Sequence, residues 1–304
     1  MPIVLASPPS TPPPGTVTTG LEMRWIGPDG SEWDLNDWRS GVCLMLDGVT
    51  GLHFPQITKY KSTSRAVPGH RNRGWRAESR DVFWPLYVYG DGSEGWKSAY
   101  TRFFNTIHPE KSGVWEVTAG TQTRRLRLTG VFDDDHQFPR DPYLAGWAVV
   151  PVQMEPEQPF WEGDPITVGP FSEPAGVDFI DPVLLAPTYN ISPAATFATA
   201  TIANPGDVDA WLVWTIEGPL TDVVLGVGGV TADVPFSLLA GQTLRIDTDP
   251  RNISALLNGV DATEQLGLLE FSAVPSGGTA PLSVSASGAG GITAELAPLF
   301  FRAI

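Results

Sequence analysis

The sequence is poor in cysteine and in long apolar runs. Cys43 is the single cysteine among 304 residues, which excludes an internal disulfide framework and any zinc site built on several cysteines. Because Cys43 stands between Val42 and Leu44, we expect a small buried side chain rather than a nucleophile. No apolar stretch approaches the roughly 18 residues of a membrane span, and no basic segment precedes residues 3–5, so we expect neither membrane insertion nor a secretory leader.

Positive charge is scarce and unevenly distributed. The chain has 19 Lys and Arg residues against 34 Asp and Glu residues, a net charge of −15. This balance argues against a nucleic-acid-binding protein, because the Lys and Arg residues of such proteins bind the phosphates and release their counterions. Residues 165–304 contain three of the basic residues and two of the 11 tryptophans. The shift in composition predicts two domains, residues 21–164 and 165–304, with different roles.

Proline dominates the N-terminus. Six of the first fourteen residues are prolines, which excludes a helix or an interior strand there. We therefore interpret residues 1–20 as an arm, either a loose terminus or a polyproline segment that orders against a neighbouring subunit.

The patterns elsewhere are those of a mainly β protein. Short alternating segments predict strands at residues 21–26, 32–35, 56–61, 75–89, 113–119, 123–131 and 144–154. In the C-terminal half, strands at intervals of about 8–12 residues predict a β-sandwich or jelly roll; they are expected at residues 196–203, 210–216, 221–227, 234–239, 243–248, 253–257, 282–286, 291–296 and 299–303. A single helix is expected at residues 93–107, where one stripe is apolar: Trp96, Tyr100, Phe103, Phe104 and Ile107.

Signals for catalysis or metal binding are weak. The four histidines are too far apart in sequence for a paired ligand motif. Residues 133–136 are acidic but lack the ligand spacing of a calcium loop, and residues 247–252 place Arg251 where an oxygen ligand would be required, so both are interpreted as turns. Glu155 and Glu157 could share a strand face, as the carboxylate pair of a glycoside hydrolase would require.

The main charge feature is a basic segment. Seven of the 19 positive charges fall within 22 residues that contain one acid, Glu78; they are Lys59, Lys61, Arg65, Arg71, Arg73, Arg76 and Arg80. Together with Trp75 this segment could form a nucleic-acid patch, but the acidic remainder of the chain would repel a polyanion. We favour contact with the acidic surface of an identical or different subunit, since guanidinium groups suit bidentate pairing with carboxylates.

Several runs of residues together resemble one protein family. They are residues 204–207 followed by a strand pattern that ends at Gly218, residues 239–248, residues 257–259 and residues 300–302, with residues 24–25, 28–30 and 159–161 in the N-terminal half. This layout resembles the distal tail proteins of long-tailed, non-contractile bacteriophages, which are often described as minor tail proteins.

The resemblance implies a structural protein of the virion tail tip. Its N-terminal domain would form a ring, commonly a hexamer, below the tail tube, and its C-terminal domain would be a galectin-like β-sandwich. The expected partners are other copies of the chain, the tail tube protein, the hub protein, the tape measure protein and receptor-binding proteins, with DNA only passing through the lumen. No catalytic residue, cofactor or metal is implied.

Two alternatives stay open. The C-terminal sandwich could bind carbohydrate through Trp211 or Trp214, although their spacing on a strand places them on opposite faces, so that at most one is exposed. The chain could also hydrolyse cell-wall glycans with Glu155 and Glu157 as the reacting pair.

Overall fold

The computed structural model describes residues 20–45, 47–132, 138–172, 200–267 and 269–304. The N-terminal arm apart from Gly20, the acidic turn at 133–136 and the first part of the strand expected at 196–203 lie outside these ranges. The chain divides into two compact units, residues 1–159 with 302–304, and residues 160–301. This division falls shortly before the boundary placed at residue 164 from composition. Within the described ranges, no helix has the length and hydrophobicity needed to cross a membrane.

The first unit is built around one antiparallel sheet. Its elements are, in chain order, β1 (Glu22–Ile26), β2 (Glu32–Asp34), β3 (Val42–Leu44), β4 (Ile57–Ser64), β5 (Val67–Ala77), β6 (Val82–Tyr89), α1 (Gly92–Phe104), β7 (Gly113–Ala119), β8 (Gln122–Val131), α2 (Pro142–Ala145) and β9 (Trp147–Glu155). Seven of these strands lie side by side in the order β2-β1-β7-β8-β9-β6-β3, whereas β4 and β5 pair only with each other.

Tryptophans form the centre of this unit. Trp84 lies edge-to-face against Trp25 and Trp115, with ring centroids 5.4 and 5.1 Å apart, and all three are completely buried. The indole nitrogen of Trp25 donates a 2.8 Å hydrogen bond to Oγ1 of Thr106, which meets the requirement that buried polar groups find partners. Gly113 allows this packing, because a Cβ there would meet the Trp25 ring at 2.3 Å.

Helix α1 covers the sheet with the expected apolar stripe. Trp96, Ala99 and Phe103 are buried, and Ile107 is buried in the turn that follows. The helix therefore ends before residue 107, the end predicted from sequence, although the stripe continues into the core. Asp91 stands at the N-cap, but its side chain makes no capping hydrogen bond.

The second unit contains two sheets that share one core. Its elements are β10 (Trp161–Glu162), β11 (Ile166–Phe171), β12 (Thr201–Ala203), β13 (Leu212–Glu217), β14 (Thr221–Val227), β15 (Val230–Asp233), β16 (Thr243–Asp247), β17 (Ser254–Leu257), β18 (Val260–Asp261), α3 (Thr263–Leu266), β19 (Thr279–Ser287), β20 (Gly291–Leu296) and β21 (Leu299–Phe300). The sheet orders are β11-β20-β13-β16-β17-β18 and β12-β19-β14-β15. Trp214 and Ile216 of the first sheet and Leu225 and Val284 of the second belong to one buried cluster, so the unit is a β-sandwich.

Several sequence expectations are wrong in detail. The single helix expected in the N-terminal domain is accompanied by a second, short helix, α2, which includes residues 144–145, where a strand was expected. The single strand expected at 75–89 is two strands, because β5 ends at Ala77 and β6 begins at Val82. A strand was expected at 234–239, but β15 precedes it, and Leu238 forms only an isolated bridge with Leu220. Cys43 is half-buried rather than buried, because it points to the opposite face of β3 from Val42 and Leu44.

Candidate functional site

The β4–β5 hairpin carries most of the basic segment. Lys59 pairs with Trp75, and Thr58 pairs with Arg76, so side chains alternate between two faces of the ribbon. Arg65 lies in the turn that joins the two strands. Sequence analysis placed a strand at 56–61 but not the long partner strand, because Pro68, Gly69 and Gly74 are poor strand formers.

Both faces of the hairpin are open to solvent. None of the described side chains from 57 to 76 is buried. One face presents Lys59, Lys61 and Trp75, the last 45% exposed, and the other presents Tyr60, which is 50% exposed, with Arg71 and Arg76. A two-stranded ribbon with no covered face is marginally stable alone in water, so this hairpin is a candidate surface for contact with another chain.

The charges of the hairpin are largely uncompensated within the described part of the chain. Arg76 lies 3.8 Å from Glu78, and Arg73 donates a 3.0 Å hydrogen bond to Oγ of Ser62. No described carboxylate forms an ion pair with the other basic side chains of the hairpin, Lys59, Lys61, Arg65 and Arg71. The hairpin is therefore a basic surface suited to an acidic partner.

Arg80 must be removed from the predicted contact set. Arg80 is 3% exposed. Its guanidinium donates hydrogen bonds to the backbone carbonyls of Pro159 (2.8 Å), Gly51 (2.6 Å) and His53. Burial lowers the pKa of Arg80 to about 10, which leaves the group charged at neutral pH. The side chain ties segments of the first unit together because it lies after the hairpin, where the chain re-enters the core.

A second surface was missed by sequence analysis. We call it the aromatic face: the side of β3, β6 and β9 turned away from the core, together with the loop residue before β3 that stacks on it. Its members are Trp38, Cys43, Tyr87, Tyr89, Trp147 and Val149. Ring centroids along it are 5.6 Å apart for Trp38 and Tyr89, 5.6 Å for Tyr87 and Tyr89, and 5.7 Å for Tyr87 and Trp147.

The aromatic face is exposed and nearly free of charge. Trp38 is 66%, Trp147 42% and Val149 38% exposed, and Tyr89 and Tyr87 lie opposite Trp147 and Val149 in the sheet. The signal in the sequence is that β9 is apolar on both faces, since Trp147, Val149 and Pro151 alternate with buried residues. Exposed apolar patches of this kind mark interaction sites.

The two tryptophans proposed for sugar stacking differ in burial. Trp214 is 1% exposed and part of the sandwich core, which excludes it as a stacking platform. Trp211 lies just before β13 and is half-buried. The expectation that at least one of the pair is core is confirmed.

The remaining candidates that lie within the described ranges bring no reacting groups together. Strand β9 ends at Glu155, so Glu157 does not share a strand face with it, and the proposed carboxylate pair is not formed on one strand. Arg251 donates hydrogen bonds to the carboxylate of Asp249, and this pair lies in a turn, as expected. In the described ranges no three His, Cys, Asp or Glu side chains form a metal-binding group.

One apolar cleft lies in the second unit. It has a volume of about 150 Å³, and its lining is mainly apolar: Ile253, Thr263, Leu266, Gly267, Leu269 and Phe271. It contains no charged side chain that could fix a ligand, so its composition suits packing rather than catalysis.

Comparison with known proteins identifies the fold. No protein-family model matches the chain, and no curated protein matches its sequence. Among solved structures, the Dit protein of phage SPP1, described as a hub of the adsorption apparatus in phages that infect Gram-positive bacteria, is similar over 93% of this chain and 100% of its own, with a TM-score of 0.55 and 13% identity. The baseplate of phage P2 in its activated conformation with Ca aligns over 91% of this chain and 98% of its own, with a TM-score of 0.54 and 12% identity.

A further P2 baseplate structure, with Sr, gives the same TM-score of 0.54 at 11% identity. These similarities cover nearly the whole chain, and they show that it has the fold of phage distal tail and baseplate proteins. The resemblance noted from the sequence is thus confirmed at the level of the fold, as is the mainly β fold class.

Proposed function

We propose that this chain is a structural distal tail protein of a long-tailed bacteriophage. Copies of it form a ring, of six subunits, at the end of the tail tube. The ring joins the tube to the hub protein and carries adhesion proteins on its outer side. The protein acts by assembly and catalyses no reaction.

The fold is the first support for this proposal. Alignment over 93% of this chain and 100% of SPP1 Dit means that both units, and not one domain alone, have counterparts in a hub protein. Fold similarity alone does not fix function, so the proposal also needs surfaces suited to assembly.

The β4–β5 hairpin carries the proposal, because it is a basic ribbon with both faces uncovered. Contact with a neighbouring subunit would bury Trp75 and Tyr60 and would pair the basic side chains with carboxylates, of which the chain has 34. A chain that carries six of its 19 basic residues and no acid on one hairpin favours contact between unlike surfaces of identical copies, which closes into a ring when the rotation permits.

The acidic character of the chain also suits a tube extension. Residues 1–164, which contain the proposed ring domain, hold 20 Asp and Glu residues against 16 Lys and Arg residues, and a lumen lined with these carboxylates would let DNA pass without the counterion-releasing contacts that cause adhesion. We propose the tail tube, hub, tape measure and receptor-binding proteins as further partners on the basis of the fold.

Mass photometry and negative-stain imaging of the purified chain test the ring. The expected result is a particle of six times the 32.7 kDa chain mass, seen as a ring with a central opening, either alone or after mixing with the tail tube protein. A chain that stays monomeric at all concentrations and in that mixture would contradict the proposal.

A further inference from the structure

We propose that the aromatic face is the surface on which the β4–β5 hairpin of a neighbouring copy docks. The inference rests on the proposed ring and names the two surfaces that would form its subunit interface.

The aromatic face has the composition of an interface core. Tyr87, Tyr89, Trp147 and Val149 project from paired positions of two neighbouring strands, and Cys43 lies opposite Tyr87 on the third. Interface cores are depleted of charge and enriched in Tyr and Trp relative to other surface. Burial of such a face against another subunit would be favourable, because it would remove apolar surface from water.

Carboxylates lie next to members of the face in the sequence or along its strands. Asp37 precedes Trp38 and is exposed, Asp47 is exposed in the loop after β3, and Glu155 lies at the far end of β9 on the outer side. Asp34 and Asp37 are close enough to Cys43 that, together with burial, the larger cause, they raise the pKa of its thiol. Arg39 also lies beside Trp38, but the acids outnumber it.

The hairpin has the complementary chemistry. Its Lys59 and Lys61 share a face with Trp75, so two cations lie on the same side of the ribbon as an aromatic ring. Such a ribbon laid on the aromatic face would bring ammonium or guanidinium groups over Tyr and Trp rings, an attractive arrangement, and would place other cations near the acidic rim.

The hairpin and the aromatic face are different surfaces present on every copy. Among the described strands, β4 and β5 pair with each other and with no third strand. Their described side chains are not buried, so the hairpin does not cover the aromatic face of its own chain. Contact between two unlike surfaces of identical subunits is head-to-tail, the arrangement from which rings are built.

Cysteine cross-linking tests this contact, because the native Cys43 already lies on the aromatic face. The variant Thr63→Cys adds one exposed thiol to β4. We expect a bis-maleimide, applied at mildly alkaline pH, to produce covalent oligomers larger than dimers from T63C, since each copy then carries both reactive partners.

Two controls make the result specific. Removal of Cys43 in a C43S/T63C variant should limit products to dimers, and a matched thiol on the second unit, Thr231→Cys, which is also exposed, should give no ladder. If T63C and C43S/T63C gave the same products, the proposed contact would be wrong.

A charge placed in the face provides an independent test. Val149→Arg should raise the protein concentration needed for half-assembly at least tenfold, because an added cation would face the basic hairpin. Val260→Arg, at a valine that is 70% exposed in the second unit, is the matched control and should assemble like the unmodified chain.

The outcomes separate the two proposals. If the unmodified chain forms no ring, the proposed function fails and the interface with it. A second outcome is that rings form, V149R assembles normally and T63C gives no covalent oligomers that depend on Cys43. The proposed ring would then be supported, and the proposed interface would be wrong. Should V149R instead lose binding to purified host cell-wall polysaccharide while rings persist, the face binds glycan and the inference is overturned.

Discussion

Nε of Arg80 donates a hydrogen bond of 2.8 Å to the carbonyl oxygen of Pro159, which is 79 residues further along the chain. The same guanidinium also binds the carbonyls of Gly51 and His53. One buried cation thus connects three segments of the first unit, although the sequence places it at the end of a run of surface charges. The role of a basic residue in this region depends on whether it lies on the hairpin or just beyond it.

Replacement of Arg80 should therefore affect stability. Arg80→Met leaves several buried carbonyls without donors, so the free energy of unfolding should fall by about 3 kcal/mol. Arg76→Met is the matched control, because its side chain is 69% exposed and lies 3.8 Å from Glu78; its effect should stay within about 0.5 kcal/mol. Urea denaturation followed by tryptophan fluorescence measures both, and equal losses would show that Arg80 does not anchor these segments.

Charge reversal on the hairpin should affect assembly without affecting folding. Lys61→Glu combined with Arg71→Glu should raise the concentration for half-assembly at least tenfold, which corresponds to about 1.4 kcal/mol. Lys97→Glu combined with Lys111→Glu changes the net charge by the same amount at exposed positions and should have no comparable effect.

Salt provides a further check on the same contact. Assembly should weaken as ionic strength rises, because exposed charge pairs are screened. Sedimentation velocity at several salt concentrations measures this dependence. Equal behaviour of the hairpin variant and its control would contradict a basic docking surface.

The two tryptophans next to and within β13 should respond differently to truncation. Trp214→Ala creates a cavity in the sandwich core and should lower the free energy of unfolding by about 3–5 kcal/mol. Trp211→Ala should cost less than about 1 kcal/mol, because Trp211 is only half-buried. Thermal unfolding followed by circular dichroism distinguishes them, and Trp214→Phe provides a milder variant if the alanine variant does not fold. A Trp211 variant as damaging as the Trp214 variant would contradict the assigned burial.

The turn at Asp249 should contribute to stability in a pH-dependent manner. Burial acts to raise the pKa of Asp249, but hydrogen bonds and charge from Arg251 outweigh it, so the pKa lies below its usual value. A carboxylate with a lowered folded-state pKa stabilises the fold above its unfolded pKa and loses that contribution as the pH falls through the folded value. Asp249→Asn should therefore lose less stability than the unmodified chain between about pH 5 and pH 3.

Asp233→Asn supplies the comparison for that measurement, since Asp233 is exposed at the end of β15. Its acid-induced loss of stability should follow that of the unmodified chain. Identical pH profiles for the two variants would argue against the Asp249–Arg251 interaction as the cause.

Local patterns predicted much of the fold. Strands β7, β14 and β20 have the expected bounds. Strands β7 and β20 alternate between buried and more exposed residues, and β14 is followed directly by the turn residues Gly228 and Gly229. The stripe on α1 correctly identified Trp96 and Phe103 as core residues. The two-sheet organisation of the second unit followed from closely spaced short strands.

The surfaces were harder to predict from sequence, for physical reasons. Strand β5 has weak β propensity and no buried side chain among those described, so only its last residues, 75–77, fall within a predicted strand; the rest forms through pairing with β4. The aromatic face arises from β3, β6 and β9, which are distant in sequence and meet only in the sheet. Burial of Arg80 depends on carbonyls from 51, 53 and 159, and a linear pattern contains no such information.

Cryo-electron microscopy of the tail tip of the virion that contains this chain would show directly whether the chain forms a ring at the end of the tube. We expect six copies of the chain around the tail axis at the end of the tube. Density for this chain away from the axis, or as single copies that do not contact one another, would contradict this expectation.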